Sequence, residues 1–460
     1  MNNRKLQIDI IILAAGMGTR MKSSKPKVLH ELLGKPMVEY IFDSVTDLCT
    51  EPPVVIIGSG ADMVKETLGE KVRYVLQEPQ LGTAHAVMCA RELLKGKSDL
   101  VLVANSDFPL ITSETYQLLV ESHLEESSSM TISTVVAEDP REFGRIVRDS
   151  DGRISGIVED KAATDEQKKI RELNSNPYCF NAEWLWNALD RIEKSAVGEY
   201  YLTDLVAIAY KDGLTVGSIE IADRDESIGI NNRIHLAEAT KALQKRINRR
   251  WMIEGVTFID PDKVYIEPSV RIGRDTVIYP EVYLQGDTVI GSNCELGPSV
   301  VIQDTTIGDR CRVVYAMLEY ARLENDVDMG PFGHLRKGAH LDNHVHMGNF
   351  GEVKDSHLGP GTKMGHFSYI GDAEIGANVN IGAGTITCNF DGEKKFKTQI
   401  GDEAFIGSDT MLVAPVKIGR GAKTGAGAVV TQDVPDGTLV VGMPAKPIKK
   451  KNDQEKAAGK

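Results

Sequence analysis

The sequence predicts two domains of unlike architecture, an α/β domain with a mostly parallel sheet followed by a parallel β-helix. Three observations carry this. From Asp9 to about Asn232, short apolar runs alternate with amphipathic stretches, the pattern of strands joined by helical crossovers. From Ile266 onward, apolar residues recur at every sixth position, a period that belongs to hexapeptide β-helices and not to helices or ordinary strands. Between the two lies one run with helical spacing, Ile234–Trp251. The expected domains are residues 1–232, a linker helix at 233–253, and 254–460 with a basic tail.

Taken in chain order, the expected strands of the first domain are Ile10–Ala14, Pro53–Ile57, Val72–Leu76, Leu100–Ala104 and Met130–Val136. Each is short and rich in β-branched residues, as buried parallel strands are. Met37–Leu48, Ala84–Leu94 and Ser113–Leu124 are the amphipathic segments between them. In sheets of this kind, ligands bind at the carboxyl ends of the strands. The linker carries Leu236, Thr240, Leu243, Ile247 and Trp251 on one face and Lys241, Lys245, Arg249 and Arg250 on the other, an amphipathic helix.

In the second domain Ile266, Ile272, Ile278, Leu284, Ile290, Leu296 and Ile302 keep one phase, and Ile400, Ile406, Leu412, Ile418, Thr424 and Val430 form a second run. The physical reading is a three-sided prism. Each hexapeptide makes one side and one corner, the aliphatic residue points inward, and Gly273, Gly291, Gly297, Gly401, Gly407 and Gly419 let the chain turn. Residues about 18 apart then stack at strand spacing, about 4.8 Å, so that Ile266, Leu284 and Ile302 form one column. The phase slips near Ile307 and again where TCNFDGEKKFKT intervenes before Ile400. That insertion is expected to leave the prism as a loop, where function concentrates. The Lys-rich tail from Lys446 is expected to be frayed and solvated.

Composition bounds the function. The chain has 460 residues, 42% hydrophobic and 26% charged, enough for large cores. A net charge of -13 argues against a dominant nucleic-acid surface. No apolar stretch reaches 18 residues, so no membrane span is expected. The six cysteines are scattered, with no C-x-x-C, which favours reduced thiols in a cytoplasmic protein over a disulfide framework.

Two chemical sites are visible. LAAGMGTRM follows the first strand. Gly16 and Gly18 free backbone N–H groups to face an anion, although the motif is neither Walker A nor G-x-G-x-x-G. Arg20 and Lys25-Pro26-Lys27 add positive charge, and GTAHA (Gly82–Ala86) offers a second turn with Thr83 after Gln77. Asp107, near the end of Leu100–Ala104, is placed either to hold Mg2+ against phosphates or to cap a turn. In the second half, KMGHFSYIGDAEIG supplies His366 and Tyr369, with His334, His340, His344, His346 and His357 as rivals for a base. His344-x-His346 offers two metal ligands, too few for a site.

L-A-A-G-x-G-T-R-M, P-K-V-L, L-Q-x-x-x-L-G-T-A-H-A, D-x-P-L, F-G-R-I-V, I-V-E-D-K-A-A-T-D-E-Q and G-I-N-N-R occur in this order. With the hexapeptide repeats, the whole chain resembles the GlmU family, bifunctional N-acetylglucosamine-1-phosphate uridyltransferases and glucosamine-1-phosphate acetyltransferases. The resemblance implies a Rossmann-like nucleotidyltransferase domain, a linker helix and a left-handed parallel β-helix. It also implies UTP, acetyl-CoA and amino-sugar phosphates as substrates, Mg2+ as cofactor, a homotrimer, and a cytoplasmic role in peptidoglycan precursor synthesis.

Carried over by position, it makes Leu13, Ala14, Ala15 and Gly16 the nucleotide loop, with Arg20 and Lys27 on the phosphates. Gln77, Gly82 and Thr83 read uracil, Gly144, Glu159 and Asn174 hold the sugar, and Asp107 and Asn231 hold Mg2+. For acetyl transfer it implies His366 as base with Glu352 orienting it. Arg336, Lys354, Tyr369, Asn380 and Lys395 surround the amino-sugar phosphate, and Ala383, Asn389, Phe390, Ser408, Ala426 and Met443 lie along acetyl-CoA. Four positions depart from the family pattern. Ser106 replaces a Gly, Asn174-Ser175-Asn176-Pro177 replaces N-T-G, Phe390 replaces a Tyr, and Met443 takes an Arg position. Two other readings compete: a single-activity sugar-1-phosphate nucleotidyltransferase with a structural β-helix, and a non-catalytic scaffold. The paired sets Asp107/Asn231 and His366/Glu352 argue against both.

Overall fold

The computed structural model describes residues 6–196 and 198–448. The chain divides into two compact units, the first ending at Leu243 and the second beginning at Gln244. The helix Arg233–Ile253 spans that division. Its second half is tied into the second unit by side-chain amides. Gln244 donates to the Val264 carbonyl at 2.8 Å and Asn248 to the Pro261 carbonyl at 2.8 Å. The tail expected to fray from Lys446 is instead paired at its start, because Lys446 and Pro447 lie in the strand Ala445–Pro447, antiparallel to Leu439–Gly442; its remainder from 449 onward falls outside the described residues.

The first unit is built on a nine-stranded sheet. In chain order its strands are β1 (Ile8–Ala14), β2 (Val54–Ile57), β3 (Arg73–Leu76), β4 (Leu100–Asn105), β5 (Met130–Val136), β6 (Arg145–Arg148), β7 (Ile154–Val158), β8 (Glu172–Asn181) and β9 (Val216–Glu220). The main path runs β9-β5-β8-β4-β1-β2-β3. Its pairs are parallel except those of β8, which runs antiparallel to both β4 and β5. The β6–β7 hairpin attaches to β8.

Strand β1 shows why the sheet is sandwiched. Ile11 packs into one apolar cluster with Ala84, Val87 and Leu94, while Ile10 and Ile12 pack into another with Val38, Ile41 and Leu119. Helices cover both faces, so both sides of the strand are apolar. This layering leaves the carboxyl ends of β1 and β4 free at one edge.

The second unit is a three-sided prism of strands in sheets of twelve, ten and nine, parallel throughout except for the last pair of the twelve-stranded sheet. One inward column reads Ile266, Leu284, Ile302, Leu318, Leu335, Val353 and Ile370, paired rung to rung. Each of these residues is fully buried, so truncating one of the leucines or isoleucines to Ala costs about 2–5 kcal/mol. The slip near Ile307 is a shortened rung, because Ile302 pairs with Leu318, only 16 residues on. The corner absorbs the missing residues while the column stays in line. The insertion after Cys388 leaves the prism as expected, returning at Thr398–Ile400 with its tip exposed.

The role expected for the repeat glycines needs correction. Gly273, Gly291 and Gly419 do not sit at positive φ. A Cβ there would lie 2.4–2.5 Å from atoms of the next rung. They are required by close stacking of rungs. The left-handed conformation falls two residues later, at Asp275, Asn293 and Gly421, all of types that tolerate it; Gly297, with φ +103, does turn the chain as expected.

Candidate active sites

The first site is a cleft of about 450 Å³ at the carboxyl edge of β1 and β4, lined by Leu13, Ala15, Gly16, Lys27, Gln77, Gly82, Thr83 and Asp107 among others. Alternation sends Ala14 the other way, into the core with Ile12, so Ala14 can act only through its backbone. Gly82 has φ +99, and a Cβ would meet the Tyr200 carbonyl at 2.5 Å. The chain there must be Gly for the helix Thr83–Cys89 to start against residues 200–202. Thr83 Oγ1 accepts from the Leu202 amide at 3.0 Å. Gln77 is buried and donates to the Gly82 carbonyl at 2.9 Å. These contacts fix the turn at the mouth of the cleft.

Lys27, Asp107 and Asn231 come together although they are 80 and 204 residues apart. The Lys27 ammonium lies 2.8 Å from Asp107 Oδ2 and 2.9 Å from Asn231 Oδ1. Two oxygens therefore converge on one cation-sized point beside the Gly-rich loop. Hard oxygen donors with room for waters and phosphates are what Mg2+ prefers, so this donor set fits the ion. Arg20 does not line the cleft. Its guanidinium is exposed and paired with Glu142.

Beyond the cleft, Gly144, Glu159 and Asn174 cluster around β8. The Asn174 amide donates to the Gly144 carbonyl at 2.8 Å. Thr203 donates to Glu159 Oε1 at 3.0 Å, and burial pushes the Glu159 carboxyl above its usual range. Asn174 Nδ2 donates to the Tyr178 hydroxyl at 2.7 Å, while Asn174 Oδ1 is buried without a partner among the described residues. A buried acceptor left open is costly and suits a ligand N–H or O–H. Ser106 donates its hydroxyl to the Leu13 carbonyl at 2.5 Å, filling the space a glycine would leave. Sequence reasoning missed Gln80, Glu199, Tyr201, Thr203 and Tyr178. None of them lies in a patterned segment, and the fold alone brings them here.

The second site is on one edge of the prism. His366, Ala383, Ser408 and Ala426 occupy the same place on successive rungs, two residues before Ser368, Thr385, Thr410 and Ala428. The register is held by amides: Gly384 to the Phe367 carbonyl at 2.7 Å, Asp409 to the Ala383 carbonyl at 2.6 Å, and Gly427 to the Ser408 carbonyl at 2.8 Å. Three rungs span about 14 Å. One position along, the same edge carries Tyr315, Phe332 and Phe350, with ring centroids 5.6 and 5.2 Å apart. These rings and Phe367 are exposed. At the rung after His366 the aromatic column gives way to Gly384, so the edge opens into a track lined by small residues.

His366 is exposed at the head of that track and makes no side-chain hydrogen bond or ion pair among the described residues. The expectation that Glu352 orients it is not met within one chain. Glu352 accepts from Arg336 Nη1 at 2.9 Å, since Arg336 sits one rung before it on the same flat face. Tyr369 follows Glu352 in register. Lys354 and Lys395 are neighbours, and the Lys354 ammonium holds Lys395 below the ordinary lysine range. Two adjacent cations suit a phosphate. Asn389 donates to Asp372, which anchors the loop that carries Lys395 and the exposed Phe390. Asn380 belongs to a different face, paired with Lys363 and Phe405. Met443 is exposed in a turn near the last strand. One chain therefore gathers Arg336, Glu352, Tyr369, Lys354 and Lys395, and leaves Asn380 and Met443 apart.

Comparison with known proteins agrees with this division. The nucleotidyl transferase family matches residues 9–229, and the bacterial transferase hexapeptide family matches residues 269–304 and 397–432. A protein of Geobacillus thermodenitrificans named "Bifunctional protein GlmU" is 47% identical over 451 residues, covering 98% of each chain. Proteins of the same name from another Geobacillus species and from Heliobacterium modesticaldum are each 46% identical, covering 96% and 94% of both chains respectively.

Proposed function

Because the chain belongs to the GlmU family of bifunctional transferases, we propose that its two units make UDP-N-acetylglucosamine in two steps, acetyl transfer and then uridylyl transfer. In the first step the amine of glucosamine-1-phosphate attacks the thioester carbonyl of acetyl-CoA. The C–N bond forms and the C–S bond breaks, His366 takes one proton from the attacking nitrogen, and that proton passes to the departing thiolate, so that coenzyme A leaves as its thiol. His366 is exposed, so its imidazole is open to the attacking nitrogen, as a general base must be. Arg336, Lys354, Tyr369 and Lys395 hold the sugar phosphate. Acetyl-CoA lies along Ala383, Ser408 and Ala426, with Asn389 and Phe390 at its side.

Asn380 and Met443 face other surfaces of the same prism, so a complete site calls for a second chain. A closed homotrimer is the simplest arrangement. The exposed rings of Tyr315, Phe332 and Phe350 provide apolar area for that contact.

In the second step the phosphate of N-acetylglucosamine-1-phosphate attacks the α-phosphorus of UTP, and pyrophosphate leaves. The nucleophile is already anionic, so the barrier is repulsion and leaving-group charge. Lys27 neutralises charge at the phosphates, and Arg20 joins it on exchanging Glu142 for an anion. Asp107 and Asn231 would hold Mg2+, which supplies further neutralisation of the phosphates. Gln77, Gly82 and Thr83 read uracil, and Gly144, Glu159 and Asn174 bind the sugar. The observation that favours two activities over one is the register of His366 with Ala383, Ser408 and Ala426 on a single open edge, which a scaffold does not need. Incubation with glucosamine-1-phosphate, acetyl-CoA, UTP and Mg2+, together and singly, tests the reading. N-Acetylglucosamine-1-phosphate should form without UTP, and UDP-N-acetylglucosamine only with it. Uridylyl transfer without any acetyl transfer would leave the single-activity reading.

A further inference from the structure

Away from both sites, three metal-ligating side chains converge on the prism surface. His340 and Asp342 lie on one rung and His357 on the next, with His340 and His357 paired in register. The two imidazoles stack with centroids 4.8 Å apart. His357 Nε2 lies 2.9 Å from Asp342 Oδ2, and His340 Nε2 lies 3.6 Å from Asp342 Oδ1. All three donors fall within 4.8 Å of one another. A four-coordinate zinc ion with bonds of about 2.0–2.1 Å holds its donors about 3.3 Å apart, and the two spacings bracket that value.

We propose that His340, Asp342 and His357 form a binding site for a borderline divalent cation of the zinc class, which clamps two successive rungs of the β-helix. Two imidazole nitrogens and one carboxylate favour zinc, cobalt or nickel over magnesium or calcium. The surroundings match such a site. His357 Nδ1 lies 2.6 Å from Glu374 Oε1, which fixes the ring and leaves Nε2 for the ion, the usual carboxylate–histidine–metal relay. Glu324 Oε1 lies 3.0 Å from His340 Nε2 and is itself held by Arg322. The three ligands are half-buried, so an ion has access. The neighbouring His344 and His346 belong to other pairs, with Asp326 and Asp328, so the dipeptide-spaced histidines are not this site.

The test is cobalt(II) and zinc(II) binding by the full-length protein after chelator treatment, read by metal content per chain and the visible cobalt d–d band. One ion per chain is expected, with a band typical of tetrahedral nitrogen and oxygen ligation. His340→Ala and His357→Ala should each weaken binding by about tenfold or more, with both transferase activities kept. Asp342→Asn preserves packing and should weaken binding alike, which guards against a His variant that fails to fold. Asp107→Asn should leave zinc binding unchanged and so separates this site from the nucleotide cleft. Absence of zinc at micromolar concentration, retention by all three variants, or a thiolate charge-transfer band would overturn the proposal.

Discussion

Replacing His366 by Ala separates the two proposed activities most sharply. The side chain is exposed and unpartnered among the described residues, so its loss removes no contact that holds the prism together. Surface changes of this kind alter stability by no more than about 0.5 kcal/mol. A general base, by contrast, contributes about 10²–10⁴-fold, which is about 3–5 kcal/mol of barrier. His366 belongs to the second unit, whereas the Lys27–Asp107–Asn231 cluster belongs to the first. Acetyl transfer, followed by coenzyme A thiol release, should fall by at least about 100-fold. Uridylyl transfer, followed by pyrophosphate release from supplied N-acetylglucosamine-1-phosphate, should stay within about twofold, and the melting temperature should not move. Added imidazole should restore part of the acetyl transfer, as small bases do at an emptied general-base position. A loss below tenfold would remove His366 from the base role, and equal loss of both reactions would refute separate sites.

Lys27→Gln should lower uridylyl-transfer kcat by about 10²–10³-fold, the cost of one lost charge-stabilising donor, with acetyl transfer unchanged; a change confined to KM would make Lys27 a binding residue only. Gly384→Phe continues the aromatic column into the small-residue track. Gly384 has φ +75, and a Cβ would lie 2.1 Å from Asp409 Oδ1, so the KM for acetyl-CoA should rise at least about tenfold; an unchanged KM would place the coenzyme elsewhere. His123 is buried against Thr131 at 2.9 Å, and burial pulls its pKa down to about 4. The unfolded chain then binds more protons than the native one below pH 6.5, so stability present above that value is lost as pH falls toward about 4. In His123→Gln the urea midpoint should vary less across this window; an unaltered slope would assign the acid sensitivity to other groups.

The inward columns were legible because a six-residue period repeats a single physical demand, one aliphatic residue per side. Five of the nine strands of the first unit were legible as short apolar runs, four of them buried on both faces and the fifth, Arg73–Leu76, at the sheet edge. Strand β8 was not. Glu172–Asn181 is polar at its start and contains Asn174, Asn176 and Pro177, and only its place between β4 and β5 makes it a strand. Most of the repeat glycines were noticed for the wrong reason, Gly297 at φ +103 excepted, since turning and close stacking leave the same mark in a sequence. Lys27, Asp107 and Asn231 share no spacing, and family resemblance, not pattern, put them in one set. The histidine–aspartate cluster was hidden by the irregular rungs, because His340 and His357 are 17 residues apart and fall out of phase with a strict hexapeptide count. Adjacent His344 and His346 look more like a ligand pair in the sequence than they are in space.

Mixing two singly disabled chains bears most directly on the claim that each unit carries its own catalyst. Asp107→Asn supplied with glucosamine-1-phosphate, acetyl-CoA, UTP and Mg2+ should stop at N-acetylglucosamine-1-phosphate, and His366→Ala should make either product only at the residual rate, at least about 100-fold down. An equimolar mixture should form UDP-N-acetylglucosamine as the acetylated sugar diffuses from one to the other. A mixture as inactive as its components, or one variant lacking both reactions, would contradict it.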